Sequence, residues 1–95
     1  MNHVVVTACI VEASPLRYTP AGLPALDFTL EHESEVSEAG TGRRVQATIR
    51  AVALGPLAGL VARQAVGSAG RFTGFLSSRR NSKSLVLHIQ EFSPD

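Results

Sequence analysis

The sequence predicts an all-β fold: a small closed barrel of five strands, with one short helix between the third and fourth. Three observations predict it. Apolar residues alternate with their neighbours at period two in five separate stretches. A single stretch, Gly55–Ala65, switches to helical spacing. Five strands in 95 residues bury too little as a flat sheet, and closure removes the vulnerable edges. A hydrophobic content of 44% suits a folded chain, and residues 1–95 are expected to form one domain.

The first strand is His3–Val11, where Val4, Val6, Ala8 and Ile10 alternate with Val5, Thr7, Cys9 and Val11. Both faces are apolar, so both are expected to be covered, one by the barrel interior and the other by a second copy of the chain. Cys9 reads as a small buried filler, because no cation adjoins it to activate its thiol. As the only cysteine, it excludes an intrachain disulfide and a cysteine-based metal cluster. Glu12–Pro24 is a loop set by Pro15, Pro20, Gly22 and Pro24. It places Arg17 beside the only tyrosine, Tyr18. A cation next to an aromatic suits a phosphate or base-stacking contact; the alternative is that Tyr18 only packs the loop.

In the second strand, Ala25–His32, Leu26, Phe28 and Leu30 face inward and Asp27, Thr29 and Glu31 outward. Glu33–Gly42, polar and acidic with two glycines, reads as a mobile hairpin loop facing solvent or a basic protein. The third strand, Arg43–Leu54, puts Val45, Ala47, Ile49, Ala51 and Ala53 on one face and Gln46, Thr48 and Arg50 on the other, with Arg43 and Arg44 at its entry. That second face is either a platform for a nucleic-acid strand or an ordinary wet sheet face. In Gly55–Ala65, Pro56 suits a first helical turn. Leu57, Leu60, Val61 and Gln64 keep helical spacing, and Gly59 weakens it. A short helix plugging one barrel end is expected. Gly67 and Gly70 lead into the last two strands. There Phe72, Gly74 and Leu76 alternate with Arg71, Thr73 and Phe75, and Leu85, Leu87 and Ile89 with Val86, His88 and Gln90. The loop between them, Ser77–Ser84, carries Arg79, Arg80 and Lys83 with no acid nearby. A flexible positive finger on a hairpin suits a polyanion.

A net charge of +1 hides an uneven distribution. Up to Glu38 the chain has six acids and one base, Arg17; from Ala39 to Gln90 it has eight bases and no acid. Such asymmetry favours nucleic-acid binding over a merely solvated surface with uneven charge. Strand, strand, strand, short helix, strand, strand is the order of the OB-fold, a five-stranded Greek-key barrel. Its usual ligand surface is the face of strands two and three, flanked by the loops after strands one and four. Here those loops are the Arg17–Tyr18 loop and the Arg79–Lys83 finger. The candidate nucleic-acid-binding residues are therefore Arg17, Tyr18, Arg43, Arg44, Gln46, Arg50, Arg79, Arg80 and Lys83.

Nothing asks for catalysis, a cofactor or a metal. There is no Walker-type glycine-rich loop and no Cys or His pair at ligand spacing. His3, His32 and His88 lie on separate elements. Ser77, Ser78, Ser82 and Ser84 are loop formers without a His–acid partner, and Asp27 and Glu31 read as solvated carboxylates. No apolar run nears the roughly 18 residues of a membrane span. Met1-Asn2-His3 carries no cationic segment of a secretory signal, so a cytoplasmic protein without membrane contact is expected.

Four stretches, PLRYTPAGLPALDFTLEHES at Pro15–Ser34, EAG at Glu38–Gly40, GFLS at Gly74–Ser77 and LVLH at Leu85–His88, give the chain a resemblance to the PriB family of primosomal replication proteins. The resemblance covers nearly the whole length. The FTLEHES run, followed by an acidic segment and EAG, separates this family from single-stranded DNA-binding proteins, which share the OB-fold and carry an acidic-tipped tail not expected here. It implies a homodimer that binds single-stranded DNA in replication restart, contacting the PriA helicase and DnaT where the bacterium has one. The family's DNA contacts come from a cation after strand one, aromatics near the start of strand three and lysines after strand four. The first corresponds to Arg17, with Tyr18 adjacent, and the third to Arg79, Arg80 and Lys83. The aromatic positions fall near Thr41–Gly42 and at Gln46, which lack aromatics; Arg43 and Arg44 can stack their guanidinium planes instead. The expectation is DNA binding that is weaker or more salt-sensitive than in aromatic-bearing members.

Overall fold

One strand closes the barrel by serving two neighbours. In the computed structural model, which describes residues Met1–Asp95, β1 (Val4–Ala13) pairs through Val4–Cys9 with β5 (Ala69–Ser78) and through Cys9–Ala13 with β3 (Pro24–Glu38). The register shifts between Ile10 and Glu12, leaving Val11 as an extra residue. Such a bulge bends and twists a strand, as a small barrel requires. β3 pairs with β4 (Thr41–Leu54), β4 runs parallel to β6 (Leu85–Pro94), and β6 returns antiparallel to β5. The circuit β1–β5–β6–β4–β3–β1 is a closed five-stranded barrel. This is the OB-fold, with α1 (Pro56–Ala62) between its third and fourth barrel strands. A sixth, two-residue strand, β2 (Arg17–Tyr18), joins β3 through Arg17–Ala25 and Tyr18–Pro24 inside the expected loop.

Inward residues of all five barrel strands meet in one core, which includes Ile10, Leu26, Leu30, Phe72 and Leu87. Phe72 lies at its centre, with ring centroids 6.0 Å from Phe28 and 4.8 Å from Phe92. Burying such a side chain contributes about 1.5–3 kcal/mol. The helix plugs one end through Ala58 and Val61, with Leu57 partly covered; Leu60 is exposed. Pro56 opens the helix, and the amide of Gly55 donates to the Pro24 carbonyl at 2.8 Å, tying it to β3.

Two expectations are corrected. Glu33–Gly42 is not a mobile loop but the distal half of a β3–β4 ribbon, in register from Ala25–Leu54 out to Glu38–Thr41. Its turn is the two residues Ala39 and Gly40, with φ of 51° and 78°. Positive φ at both positions gives the turn type that matches strand twist. Cys9 is half-buried, not a core filler, because Ala8 and Ile10 take the inward positions beside it. On the same outer side of β1, Val5 and Val11 stand exposed. No helix is long and apolar enough to cross a membrane.

Candidate nucleic-acid interface

Alternation along β3, β4 and β6 sends Asp27, Thr29, Thr48, Arg50, Val52, Val86 and His88 to the outer face of the barrel. The ladders then align them. Thr29 sits opposite Arg50 and Asp27 opposite Val52; Val52 faces His88, and His88 faces Phe75. A row of side chains thus crosses four strands. Two adjoining hollows lie on this face, of about 430 and 350 Å³, and both are lined by Asp27 and Arg79. The larger adds Arg17, Thr19, Val52, Leu54, Ser78, Val86 and His88. The smaller adds Glu12, Ser14, Thr29, Thr48 and Arg50 among others. Together they form a groove bounded by the β1–β3 loop and the β5–β6 finger.

The finger is a closed turn. Ser82 N donates to the Arg79 carbonyl and Arg79 N to the Ser84 carbonyl, each at 3.0 Å. Asn81 takes a positive φ of 60°, a conformation Asn tolerates better than most side chains. The amide of Ser84 donates to Ser82 Oγ at 3.0 Å. Arg79, Arg80 and Lys83 are exposed on this turn and form no ion pair, since the chain's three pairs involve other residues. Arg50 is also exposed and unpaired.

The other predicted cations are engaged. Arg17 Nε donates to Asp27 Oδ2 at 2.6 Å and Nη2 to Oδ1 at 3.2 Å. This fork-on-carboxylate contact holds the Asp27 carboxyl below its ordinary pKa. Partial burial opposes the shift, and the charges of Arg17 and Arg79 add to it. The same hydrogen bond raises the Arg17 guanidinium. On the ribbon, Arg43 pairs with Glu38 at 2.8 Å and Arg44 with Glu33. Gln46 is exposed on β4 opposite Glu33. Tyr18 is 67% exposed on the β2 edge, so it does not pack the loop. The groove therefore gathers Arg17, Arg50 and Arg79, with Arg80 and Lys83 in the same finger, while Arg43 and Arg44 lie out along the ribbon.

Three groove features were not singled out from the sequence. Asp27 read as a solvated carboxylate, yet it is the hub of the cationic cluster. His88 read as a scattered histidine, yet its ring lies against Phe75 at 4.9 Å between centroids and 11° between planes. Val52 and Val86 are buried on the polar side of their strands. Two apolar residues at outward positions were the available signal, but cross-strand register is needed to bring them beside His88.

A closed Greek-key barrel with an unpaired cationic finger over a sheet-face groove defines an OB-fold binding module. Residues 2–91 match the family described as "Another single-strand binding protein family". A replication restart protein PriB from Bordetella pertussis is 49% identical over 92 residues, covering 96% of this chain and 86% of that one. The PriB structure from Ralstonia solanacearum superposes with a TM-score of 0.91 at 35% identity, covering 99% of this chain and 97% of that one. The single-stranded DNA-binding protein of Thermus aquaticus shares the fold, with a TM-score of 0.78 at 24% identity, over 99% of this chain and 50% of that one. The chain belongs to the PriB family within this group of single-strand binding proteins.

Proposed function

We propose that this chain binds single-stranded DNA without sequence preference during replication restart, residues 1–95 acting as one binding domain. The observation that carries the reading is the outer groove, walled on both sides by cation-bearing loops, with Arg50, Arg79, Arg80 and Lys83 free of any carboxylate partner. Free cations along a groove track a phosphate backbone and release its counterions, which needs no base readout. The names of the relatives support the restart role. The protein acts by holding a strand, not by catalysis.

Two associations complete the proposal. A homodimer forms through β1, whose outer face exposes Val5 and Val11 and whose Val4–Ala8 edge is paired with β5 alone. Sedimentation showing a monomer at micromolar concentration would remove this part. The dimer contacts the PriA helicase, and DnaT where one exists. An adaptor role with minor DNA contact is the second reading, favoured by the ion pairs that already occupy Arg17, Arg43 and Arg44.

Fluorescence anisotropy of labelled single-stranded oligonucleotides, titrated at several salt concentrations, separates the two. The proposal expects a steep salt dependence that Arg79→Ala/Arg80→Ala/Lys83→Ala flattens by about 2, since each phosphate left without its cation lowers the slope by about 0.7. Binding that ignores the triple change leaves the adaptor reading.

A further inference from the structure

The Phe75–His88 stack stands on the groove side of the barrel without an assigned role. Phe75 and His88 are direct partners in the β5–β6 ladder, and their rings are nearly parallel. The stack has two ends, and they differ. His88 lines the larger hollow and Phe75 does not. On the side of His88 away from Phe75, the ladder puts Val52 of β4. The ring that reaches the groove is therefore the half-buried imidazole, backed by Phe75. No hydrogen bond within the chain engages a ring nitrogen of His88, whereas both ring nitrogens of His32 are engaged. Packing, with Phe75 stacked on one face, orients it.

The backbone holds this arrangement firmly. The β5–β6 register shifts between Thr73 and Gly74, leaving Gln90 as an extra residue on β6. A Cβ on Gly74 would stand 1.8 Å from the His88 carbonyl oxygen, so only glycine lets the strands approach closely enough here. The bulge sits beside the position where Phe75 meets His88.

The chemistry of the hollow fits a flat, partly apolar ligand attached to an anion. Val52 and Val86 give it an apolar floor, His88 an aromatic wall, and Arg17 and Arg79 a cationic rim. We propose that one nucleobase of the bound strand stacks on the groove face of His88, over Val52 and Val86, with its flanking phosphate toward Arg79. Phe75 is a positioning residue that sets the imidazole plane. This inference rests on the strand-binding reading above and locates within it the stacking contact that β4 lacks. It needs no particular base, because every base has a π-face.

The test compares a labelled oligothymidylate with an abasic oligonucleotide of equal length and charge, each titrated against the wild-type chain, His88→Ala and His88→Phe. Stacking predicts that His88→Ala weakens oligothymidylate binding roughly 5- to 150-fold, leaves abasic binding and the salt slope unchanged, and is reversed by His88→Phe. A purely structural stack predicts equal losses on both oligonucleotides, or none, and either result overturns the proposal. A measurement on the wild-type chain covers the case in which the variants misfold. The fluorescence of a 2-aminopurine placed within an oligothymidylate should change on binding as the base exchanges its neighbours for the imidazole face, and binding without a change overturns the proposal. Wild-type binding that is equal for the two oligonucleotides leaves strand binding intact and removes the stack. Binding to neither removes the strand-binding reading itself.

Discussion

Asp27→Asn isolates the one carboxylate at the centre of the groove. Arg17, Asp27 and Arg79 line the same hollow, and two cations less one carboxylate leave +1; the amide raises this to +2. A phosphate seated about 5 Å from the Asp27 carboxylate is repelled by about 1 kcal/mol at the dielectric of water and about 3 kcal/mol at an effective dielectric of 20. Both partners of the Arg17–Asp27 pair are more than a third exposed, so the lower figure applies. Removing the charge is expected to tighten DNA binding by about fivefold, since 1.4 kcal/mol is a factor of ten. Arg17, freed for one phosphate, should steepen the salt slope by about 0.7. The folded state loses an exposed ion pair worth about 0.2–1 kcal/mol. Anisotropy against salt, with a thermal melt of each protein, reads all three. Weaker binding by Asp27→Asn at an unchanged salt slope would refute the reasoning, because Asp27 would then be aiming Arg17 at the strand and not competing with it.

The same pair sets a pH signature. The Asp27 carboxyl is held below its ordinary value by the Arg17 hydrogen bond. Its contribution to stability is therefore present above the unfolded carboxylate value, about 3.9, and is lost as pH falls through the lower folded value. Between pH 5 and 8 Asp27 should leave the melting temperature unmoved, and Asp27→Asn should flatten only the acid limb of the wild-type curve. Two backbone predictions complete the set. Gly74→Ala drives a methyl into the His88 carbonyl, a backbone atom that cannot swing aside. The overpacking should cost about 1–3 kcal/mol, read as a lower denaturation midpoint at unchanged slope, and an unaltered midpoint would contradict the close approach of β5 and β6. Ala39 occupies the first turn position of the ribbon at φ 51°, where Asn is favoured. Ala39→Asn should stabilise by about 0.5–1 kcal/mol and raise the melting temperature by a few degrees; a lower one would mean that the two-residue turn is not formed.

How much of this was legible depended on which force set each element. Barrel strands declared themselves through Leu26, Phe28 and Leu30, or Leu87 and Ile89, because burial of one face imposes period two on the residue types. The distal ribbon did not. Glu33–Glu38 and Thr41–Val45 are wet on both faces for most of their length, so no apolar alternation marks them. Their pairing rests on backbone hydrogen bonds and a two-residue turn, which side-chain patterning does not record. The groove cations were legible as residue types in loops, but their partners were not. Asp27 lies ten residues from Arg17, and only the short β2–β3 ladder brings the two together.

The charge asymmetry along the chain shows the same limit in a form that bears on function. Acids dominate up to Glu38 and bases after it, which suggests an acidic half and a basic half in space. The β3–β4 ribbon folds that boundary back on itself. Glu38 and Glu33 meet Arg43 and Arg44 across the hairpin, and Asp27 takes Arg17 across the groove. Pairing therefore removes the cations nearest the acidic segment and spares those of the β5–β6 turn. Exposed pairs of this kind are weak, so a polyanion can compete for them, but only against a carboxylate already in place. Arg79, Arg80 and Lys83 form no ion pair, and of the three only Arg79 feels the Asp27 carboxylate across the hollow. On the proposed strand-binding reading, the finger is where an approaching strand gains most per contact, and the paired cations of the ribbon should add affinity only once the strand is seated.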